Sequence, residues 1–174
     1  MKKWFMVTLV GKDATGIVAQ VTEALYRGNC HLGEASMSRL GGNFTVMLMV
    51  QFDGMAEALE GLLVPVCEGL SLRYHVDEID GALHHHVEPD VRISVYGADR
   101  AGIVAEATGA LARAGLNILN LESDIAGTEE SPIYIMHLEG VAEQGIDALN
   151  DALDVLSREK NVETELNEID VMLG

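Results

Sequence analysis

The sequence predicts an α+β fold built from two similar halves, and two observations carry this prediction. The stretch GKDATGIVAQV, which begins at Gly11, returns as GADRAGIVAEA at Gly97. At this offset of 86 residues, positions 11–27 and 97–113 are identical at 10 of 17 places. In addition, both halves show strand-like and helix-like hydrophobic patterns in the same order. The chain is therefore expected to hold two copies of one unit.

The junction between the halves lies in the polar stretch GALHHHVEPD, which interrupts the hydrophobic pattern on both sides and ends near Pro89. We expect a first domain at 1–82, a linker at 83–90 and a second domain at 91–174.

The first half is predicted to run strand, helix, strand, strand, helix, strand. Alternating β-forming residues indicate the strands, RGN ends the first helix, and LGGN is typical of a hairpin turn. Pro65 is expected to kink or end the second helix. The predicted elements are a strand at 4–10, a helix with the stripe Ile17, Val18, Val21 and Leu25, strands at 31–40 and 43–52, a helix at 55–63, and a strand at 71–79.

The second half repeats this order. RAGLN ends its first helix, and AGTEESP predicts a longer and more acidic turn between its middle strands than LGGN does. The predicted elements are a strand at 91–97, a helix at 101–114, strands at 117–126 and 132–139, a helix carrying Ile146, Leu149, Leu153 and Leu156, and a strand at 162–171.

The order β-α-β-β-α-β, found twice, is the ferredoxin-like or split-βαβ motif. We therefore predict two ferredoxin-like units, each a four-stranded antiparallel sheet with two helices on one face. The helix-facing residues of the first strands are expected to be Phe5, Val7 and Leu9 in one unit, and Val91, Ile93 and Val95 in the other.

The opposite face of each sheet has no helices to cover it. In the first unit this face carries Trp4, Met6, Met47 and Met49, and strand 133–138 is also largely apolar on both faces. A sheet with one face in water normally alternates apolar and polar residues, and a large exposed apolar face usually marks an interface. We expect sheet-to-sheet packing, either in a homodimer or between the two units.

The composition limits the classes of partner. Of 174 residues, 48% are hydrophobic, and the formal net charge is −17. Lys and Arg supply the counterion release that drives nucleic-acid binding, so direct binding to nucleic acid is not expected. Residues 83–174 hold 18 acidic and 5 basic residues, which indicates either a solvated acidic face or a docking surface for a basic partner.

The sequence also favours a cytoplasmic protein. No apolar run has the length of a membrane helix, and the first residues alternate like a strand rather than a signal peptide. Cys30 and Cys67 are isolated in the sequence and are expected to be buried, reduced thiols.

The repeated phrase G-x-D-x-x-G-I-V-A lies between a strand and a helix. The first turn of a helix has backbone N–H groups without helical partners, and a glycine there lets a small anion approach. Asp13 or Asp99 is expected either to cap the helix or to accept hydrogen bonds from an ammonium group. A ligand with both groups is an amino acid, although a simple cap and tight turn fits the spacing as well. Phosphate-loop and dinucleotide motifs are both excluded, because their required residues are missing.

These motifs resemble the ACT domain, as does GLNILNLES at 115–123, which is similar to the second strand of that domain. Two such units in one chain resemble the glycine cleavage system transcriptional repressor family. The resemblance implies an amino-acid-sensing protein whose sites lie at interfaces between ACT units. It also implies that the protein has no DNA-binding module and acts by binding a transcriptional activator protein, with glycine as a possible ligand.

The resemblance implies ligand-binding residues in the loop after the first strand and near the start of the second strand. Where the first unit has Gly33, the second has Asn120, so the two sites are expected to differ. The implied residues are Asp13, Ala14, Thr15, Gly16, Ile17, Asn29 and His31 in the first unit, and Asp99, Arg100, Ala101, Gly102, Ile103, Asn117 and Asn120 in the second.

Other candidate sites are weaker. His84, His85 and His86 follow one another and cannot all face one metal ion from a regular element, so a polar linker is the preferred interpretation and no metal or cofactor is expected. No nucleophile elbow, HExxH or CxxC motif is present in the sequence. We expect a regulatory protein rather than an enzyme; the alternative is a constitutive protein-interaction adaptor with vestigial ligand sites.

Overall fold

A computed structural model gives the structure of the chain and describes residues 2–80, 87–98, 102–128 and 130–169. The chain divides into two compact units, residues Met1–His85 and His86–Gly174. Each unit has the order βαββαβ that the sequence predicts. The exact ends of the two predicted domains and of the linker at 83–90 stay predictions, because residues 81–86 lie outside the described ranges.

The first unit is a four-stranded antiparallel sheet in the order β2-β3-β1-β4, with two helices. Its elements are β1 (Lys3–Lys12), α1 (Ile17–Arg27), β2 (His31–Leu40), β3 (Asn43–Phe52), α2 (Ala56–Leu70) and β4 (Arg73–Ile79).

The second unit repeats this sheet in the order β6-β7-β5-β8. Its elements are β5 (Val91–Ala98), α3 (Ile103–Arg113), β6 (Leu116–Thr128), β7 (Ser131–Ala142), α4 (Ile146–Lys160) and β8 (Glu163–Glu168).

Each core lies between one sheet face and the two helices. The predicted helix-facing residues of β1 and β5 are fully buried, and every one of the six has an exposed fraction of 0%. The helices contribute residues spaced three or four apart, which share one helical face; these are Ile17, Val21, Leu25, Leu59, Leu63 and Cys67 in the first unit, and Ile103, Ala107, Leu111, Leu149, Leu153 and Leu156 in the second. Full burial of one large aliphatic side chain stabilises the fold by about 1.5–3 kcal/mol.

Three sequence predictions about the helices need correction. Val18 is 40% exposed, since it falls beside the buried stripe and not on it. The left-handed residue after α1 is Asn29, with φ of 57°, whereas Gly28 has φ of −76°. Pro65 does not end its helix, because α2 continues to Leu70. The proline lies on the exposed side of α2, so the backbone hydrogen bond that it removes faces solvent.

The hairpins agree with the predicted turn in the first unit but not in the second. Gly41 and Gly42 form a two-residue loop with φ of 55° and 75°, as a type I′ turn requires. The predicted long acidic turn in the second unit is wrong, because strand pairing continues to the pair Thr128 and Ser131. Cross-strand hydrogen bonds thus extend the second hairpin by two further residue pairs.

The first glycine of each repeated phrase is required by packing. A Cβ atom on Gly11 would lie 2.5 Å from Cδ2 of Leu72, and one on Gly97 would lie 2.7 Å from Cγ1 of Val162. Leu72 and Val162 are buried residues directly after α2 and α4. The glycines therefore let the segment that follows each second helix close against the end of the first strand.

The uncovered sheet faces of the two units differ. In the first unit, Trp4 and Met6 are half-buried, and Met47 and Val10 are 46% and 43% exposed. In the second unit, the corresponding surface is polar around the start of β5, whereas strand 133–138 keeps the largely apolar outer side that the sequence predicts, with Ile133 45% exposed and Ile135 half-buried. Near the start of β5, Arg92 donates hydrogen bonds to Glu139, with Nε at 2.9 Å and Nη2 at 2.5 Å from Oε1.

Asp90 joins three strands at the start of the second sheet. Its backbone N–H donates to Gly140 O at 3.0 Å, and its carbonyl accepts from Ile169 N at 2.7 Å. Its side-chain Oδ1 accepts from Ala142 N at 2.9 Å. Beside this junction β6 has a bulge between Ile118 and Asn120, so the backbones of β6 and β7 come close together.

Gly140→Ala should destabilise the protein, because the added Cβ would lie 2.3 Å from the backbone oxygen of Asn117. We expect a loss of about 1–3 kcal/mol or more in the free energy of unfolding, as for overpacked cores. The matched control is Gly61→Ala, at an open position in α2 with no described atom within 4 Å of the new Cβ, which should stabilise by about 0.5–1 kcal/mol. Urea unfolding followed by circular dichroism measures both; equal stability of Gly140→Ala and the wild type would contradict the packing argument.

Candidate functional site

The loop between β1 and α1 forms the candidate site in the first unit. Gly16 has φ of 87° and is the N-cap of α1, and the first helical hydrogen bond runs from Gln20 N to Gly16 O at 3.0 Å. The N–H groups of the first turn, from Gly16 to Ala19, therefore lack partners within the helix. Ala14, Thr15 and Gly16 are exposed, and Ile17 anchors the helix in the core with an exposed fraction of 2%.

The loop is hydrogen-bonded to the hairpin between β2 and β3. Asp13 N donates a hydrogen bond to Gly42 O at 3.1 Å, so the turn between β2 and β3 supports the start of the loop. Because both hairpin glycines adopt left-handed conformations, the carbonyl of Gly42 can face the loop. Hence the position of Asp13 is set by backbone geometry rather than by its own side chain.

The carboxylate of Asp13 pairs with a cation that the sequence analysis did not select. Its Oδ2 atom contacts Nη2 of Arg39 on β2, with the Asp13 side chain 27% exposed and the Arg39 side chain 67% exposed. The expectation that Asp13 caps the helix is wrong, since no side chain in the described residues caps α1. The carboxylate is instead paired with Arg39 and partly exposed, in the loop that precedes the first turn.

The loop of the second unit has the same helix start. Gly102 has φ of 91° and is the N-cap of α3, Glu106 N donates to Gly102 O at 2.9 Å, and Ile103 is buried. The other predicted residues of this loop, Asp99, Arg100 and Ala101, lie outside the described residues. The repeated glycine therefore has one structural reason in both units, which is the left-handed conformation that starts the helix.

Within each unit, the second-strand candidates do not meet the loop. His31 pairs with Gln51, which pairs on its other side with Trp4 at the start of β1, whereas Asp13 follows the last residue of β1. A strand rises about 3.3 Å per residue, so the two groups lie about 30 Å apart along the sheet. Asn29 is exposed at the same distant end, in the turn before β2.

The second unit has the same separation. Asn117 pairs with Val141, and Asn120 pairs with Glu139, near the start of β5. Gly102 lies beyond the end of that strand. The fold therefore brings the loop residues together, and it keeps both asparagines away from them within one unit.

The sequence pairing of Gly33 with Asn120 also needs correction. Both β2 and β6 contain a bulge, and the same offset of 86 residues relates the two strands on either side of it. Asn120 therefore corresponds to Glu34, and Gly33 corresponds to Leu119. The two copies do differ here, and the equivalence follows from the same offset of 86 residues that relates the repeated phrases.

Arg39 is the residue that sequence reasoning missed. In the sheet it lies opposite Phe44, which also pairs with Gly11 at the end of β1. The predicted topology contained a signal for this contact. Because β1 and β2 both pair antiparallel to β3, they run in the same direction and end at the same edge of the sheet. A basic residue two positions before the GG turn must therefore lie close to the loop after β1.

A second cluster occupies the uncovered face of the second sheet. Ser94 Oγ lies 2.9 Å from Nδ1 of His137, whose ring packs edge-on against Tyr96 with the centroids 6.1 Å apart. Glu122 and Glu165 flank these residues in the same row across the sheet. Although a serine beside a histidine is the start of a nucleophilic site, Ser94 is only 6% exposed. The hydroxyl is therefore almost closed to solvent, and its contact with His137 joins β5 to β7.

The remaining chemistry of the described residues is limited. They contain no group of three or more His, Cys, Asp or Glu side chains placed to hold a metal ion, and His84, His85 and His86 lie outside them. Cys30 and Cys67 are free thiols, and burial raises the pKa of both. Both thiols are therefore protonated at neutral pH and poor nucleophiles. None of the described helices is long and apolar enough to span a bilayer.

Comparison with known proteins finds the ACT domain twice, at residues 3–72 and at residues 91–157. Among solved structures, an unknown protein from Galdieria sulphuraria is 22% identical, with a TM-score of 0.77, over 97% of this chain and 99% of its own. A protein provisionally described as a glycine cleavage system transcriptional repressor is 17% identical, with a TM-score of 0.75, over 97% of this chain and 98% of its own. At these identities the likeness shows the fold.

A curated relative matches over the length of a single unit. It is a UPF0237 protein of Listeria monocytogenes serotype 4b, 29% identical over 84 residues, which are 45% of this chain and 94% of the relative. A UPF0237 protein of Listeria innocua matches over the same length with the same identity.

Gly16→Ala should destabilise the protein although the space around Gly16 is open, with Nε2 of Gln20 as the nearest described atom at 3.7 Å from a new Cβ. The cause is the left-handed conformation, which costs a residue with a Cβ about 1–2 kcal/mol. Gly16→Asn should cost less, because asparagine tolerates this region. Urea unfolding of the three proteins tests the order glycine, asparagine, alanine; an alanine variant as stable as the wild type would refute the conformational requirement.

Proposed function

Because the chain belongs to the ACT domain family, with two ACT domains over well over half of its length, we propose that it is a regulatory protein that senses an amino acid. The observation that carries the proposal is the loop after β1, where the partly exposed carboxylate of Asp13 comes three residues before Gly16, the N-cap of a helix whose first-turn N–H groups have no partner within the helix. The same helix start returns at Gly102 in the second unit.

The first-turn N–H groups of α1 and the carboxylate of Asp13 suit the two charged groups of an amino acid. Backbone N–H groups at a helix N-terminus, together with the helix dipole, attract a carboxylate. A side-chain carboxylate such as that of Asp13 accepts hydrogen bonds from an ammonium group. In this proposal the loop residues Asp13, Ala14, Thr15, Gly16 and Ile17 form the site of the first unit, and the residues at 99–103 form that of the second.

The proposed output is a change in contact with a transcriptional regulator protein rather than with DNA. The net charge of −17 opposes binding to a phosphate backbone, and the outer sheet face of the second unit offers acidic groups such as Glu122 and Glu165 to a basic partner. The fold is also that of a protein provisionally described as a transcriptional repressor. Occupancy can act on such contacts only if the amino acid binds one arrangement more tightly than another.

A second candidate function is a constitutive adaptor whose ligand sites are vestigial. The ion pair between Asp13 and Arg39 favours this alternative, since a carboxylate with an internal partner does not need an ammonium ligand. In both versions we propose a cytoplasmic protein without catalytic activity.

The sensing proposal predicts a thermal shift with at least one of the twenty standard amino acids, because a ligand that binds only the folded state raises its stability. At a ligand concentration of about 100 times Kd the gain is about 2.7 kcal/mol. Differential scanning fluorimetry at millimolar amino acid, with glycine included, measures the shift.

The double variant Asp13→Ala and Asp99→Ala should abolish this shift. Asp77→Ala is a matched control, since this exposed carboxylate lies on β4 away from the loop. A flat response of the wild type to all twenty compounds would contradict sensing and leave the adaptor as the better description.

We further propose a homodimer through the apolar outer face of the first sheet, around Met47 and Trp4. Met47→Glu should then convert the dimer to a monomer, because it places a charge in the interface. Val155→Glu is the control, since Val155 is 44% exposed on a helix, α4, and does not belong to a sheet face. Light scattering after gel filtration gives the masses; a monomeric wild type, or a dimeric Met47→Glu protein, would refute this interface.

A further inference from the structure

We propose that Arg39 and Asp13 act together to recognise a free α-amino acid, with the guanidinium of Arg39 binding the α-carboxylate and the carboxylate of Asp13 binding the α-ammonium. This inference rests on the proposed sensing function and adds its specificity. The ligand class is a zwitterion with both groups free, as opposed to an amine, a carboxylic acid or an amino-acid amide. It assigns a ligand contact to a strand end, whereas the loop alone supplied the site above.

The first support is the position of Arg39. It lies two positions before the GG turn, next to the last residue of β2, in the row that crosses Phe44 and Gly11. From there its Nη2 atom reaches Oδ2 of Asp13, so a positive and a negative group stand side by side at the surface. An α-amino acid carries a carboxylate and an ammonium group side by side. The carboxylate can therefore face Arg39 while the ammonium group faces Asp13.

The second support is accessibility. The Arg39 side chain is 67% exposed, and a guanidinium has five N–H donors in a fixed fork, of which one contact engages Asp13. The fork can therefore bind a carboxylate with two parallel hydrogen bonds while it stays beside Asp13. The existing ion pair also holds both side chains close to the geometry that the ligand needs, which reduces the entropy lost on binding.

The third support is the difference between the two units. In the first unit Arg39 pairs with Phe44. The residue of the second unit that corresponds to Phe44 is Tyr134, and it pairs with Ile125. The second unit thus has an isoleucine, 57% exposed, at the position of the arginine. An isoleucine cannot bind a carboxylate, so this position of the second unit has no counterpart of Arg39, and the inference narrows the two loop sites of the proposed function to the one in the first unit. We therefore expect one zwitterion bound per chain.

The test is isothermal titration calorimetry of the full-length protein with glycine and with the amino acid that gives the largest thermal shift in the panel of twenty. Glycinamide and acetate are the single-charge probes. We expect one bound amino acid per chain and no measurable binding of either single-charge probe. Arg39→Ala should weaken the apparent affinity by about tenfold or more, which is the range for loss of charge-assisted hydrogen bonds.

Two further variants separate recognition from folding and from net charge. Arg39→Lys keeps the charge but loses the fork, and it should bind with intermediate affinity. Arg73→Ala removes an exposed arginine from β4 of the same unit, and it should bind like the wild type. Circular dichroism and urea unfolding confirm that each variant is folded before titration.

The possible results distinguish the two proposals. An amino acid that binds the wild type and Arg39→Ala equally well would overturn the role of Arg39 and leave the sensing function intact. Binding of two molecules per wild-type chain, or equal binding of glycinamide, would overturn it too. Absence of binding by every amino acid to the wild type would reject the sensing function, and the role of Arg39 with it.

Discussion

The structure depends on the alternation of buried residues along the first strand of each unit. Phe5, Val7 and Leu9 have no exposed surface, and a shift of one residue in strand pairing would turn all three toward the uncovered face. With this register fixed, β2 and β3 can pair in one way, and the end of β2 lies beside the end of β1. The contact between Arg39 and Asp13 is a consequence of that register.

The two units keep the same core and differ at their surfaces. Met6 faces Met49 across the first sheet, and the same positions of the second sheet hold the ion pair of Arg92 and Glu139. The second sheet thus satisfies its own polar groups in water, whereas the first presents methionine side chains that gain stability when they are covered. The two copies thus share one fold and differ in the residues of their outer faces.

Local patterns predicted the architecture, and long-range geometry limited the prediction of the site. Two-residue alternation and helical stripes identified both copies of the βαββαβ order, because burial on one side is a local property of sequence. The predicted end of α2 was too early, because Pro65 was expected to kink or end the helix. Pro65 lies on the solvent side of α2, where the loss of one backbone hydrogen bond is tolerated. The length of the second hairpin was also misjudged, since pairing between Thr128 and Ser131 depends on the sheet rather than on turn residues.

The candidate site shows the same limit more sharply. The loop and the glycine that starts the helix, Gly16, could be predicted, because the repeated stretch G-x-D-x-x-G-I-V-A contains both. His31, selected by resemblance, lies at the far end of the sheet, and Arg39, which reaches Asp13, comes from a strand that begins 18 residues after that aspartate.

Arg39 also links the site to the edge of the sheet. In the described sheet order, β2 is an edge strand that pairs with β3 alone. Edge strands hold backbone groups that can bind another chain. Under the proposed role of Arg39, an amino acid held between Asp13 and Arg39 contacts this edge directly. A molecule that fixes the end of β2 changes which conformations the edge presents to a partner, and this gives occupancy a physical route to regulation.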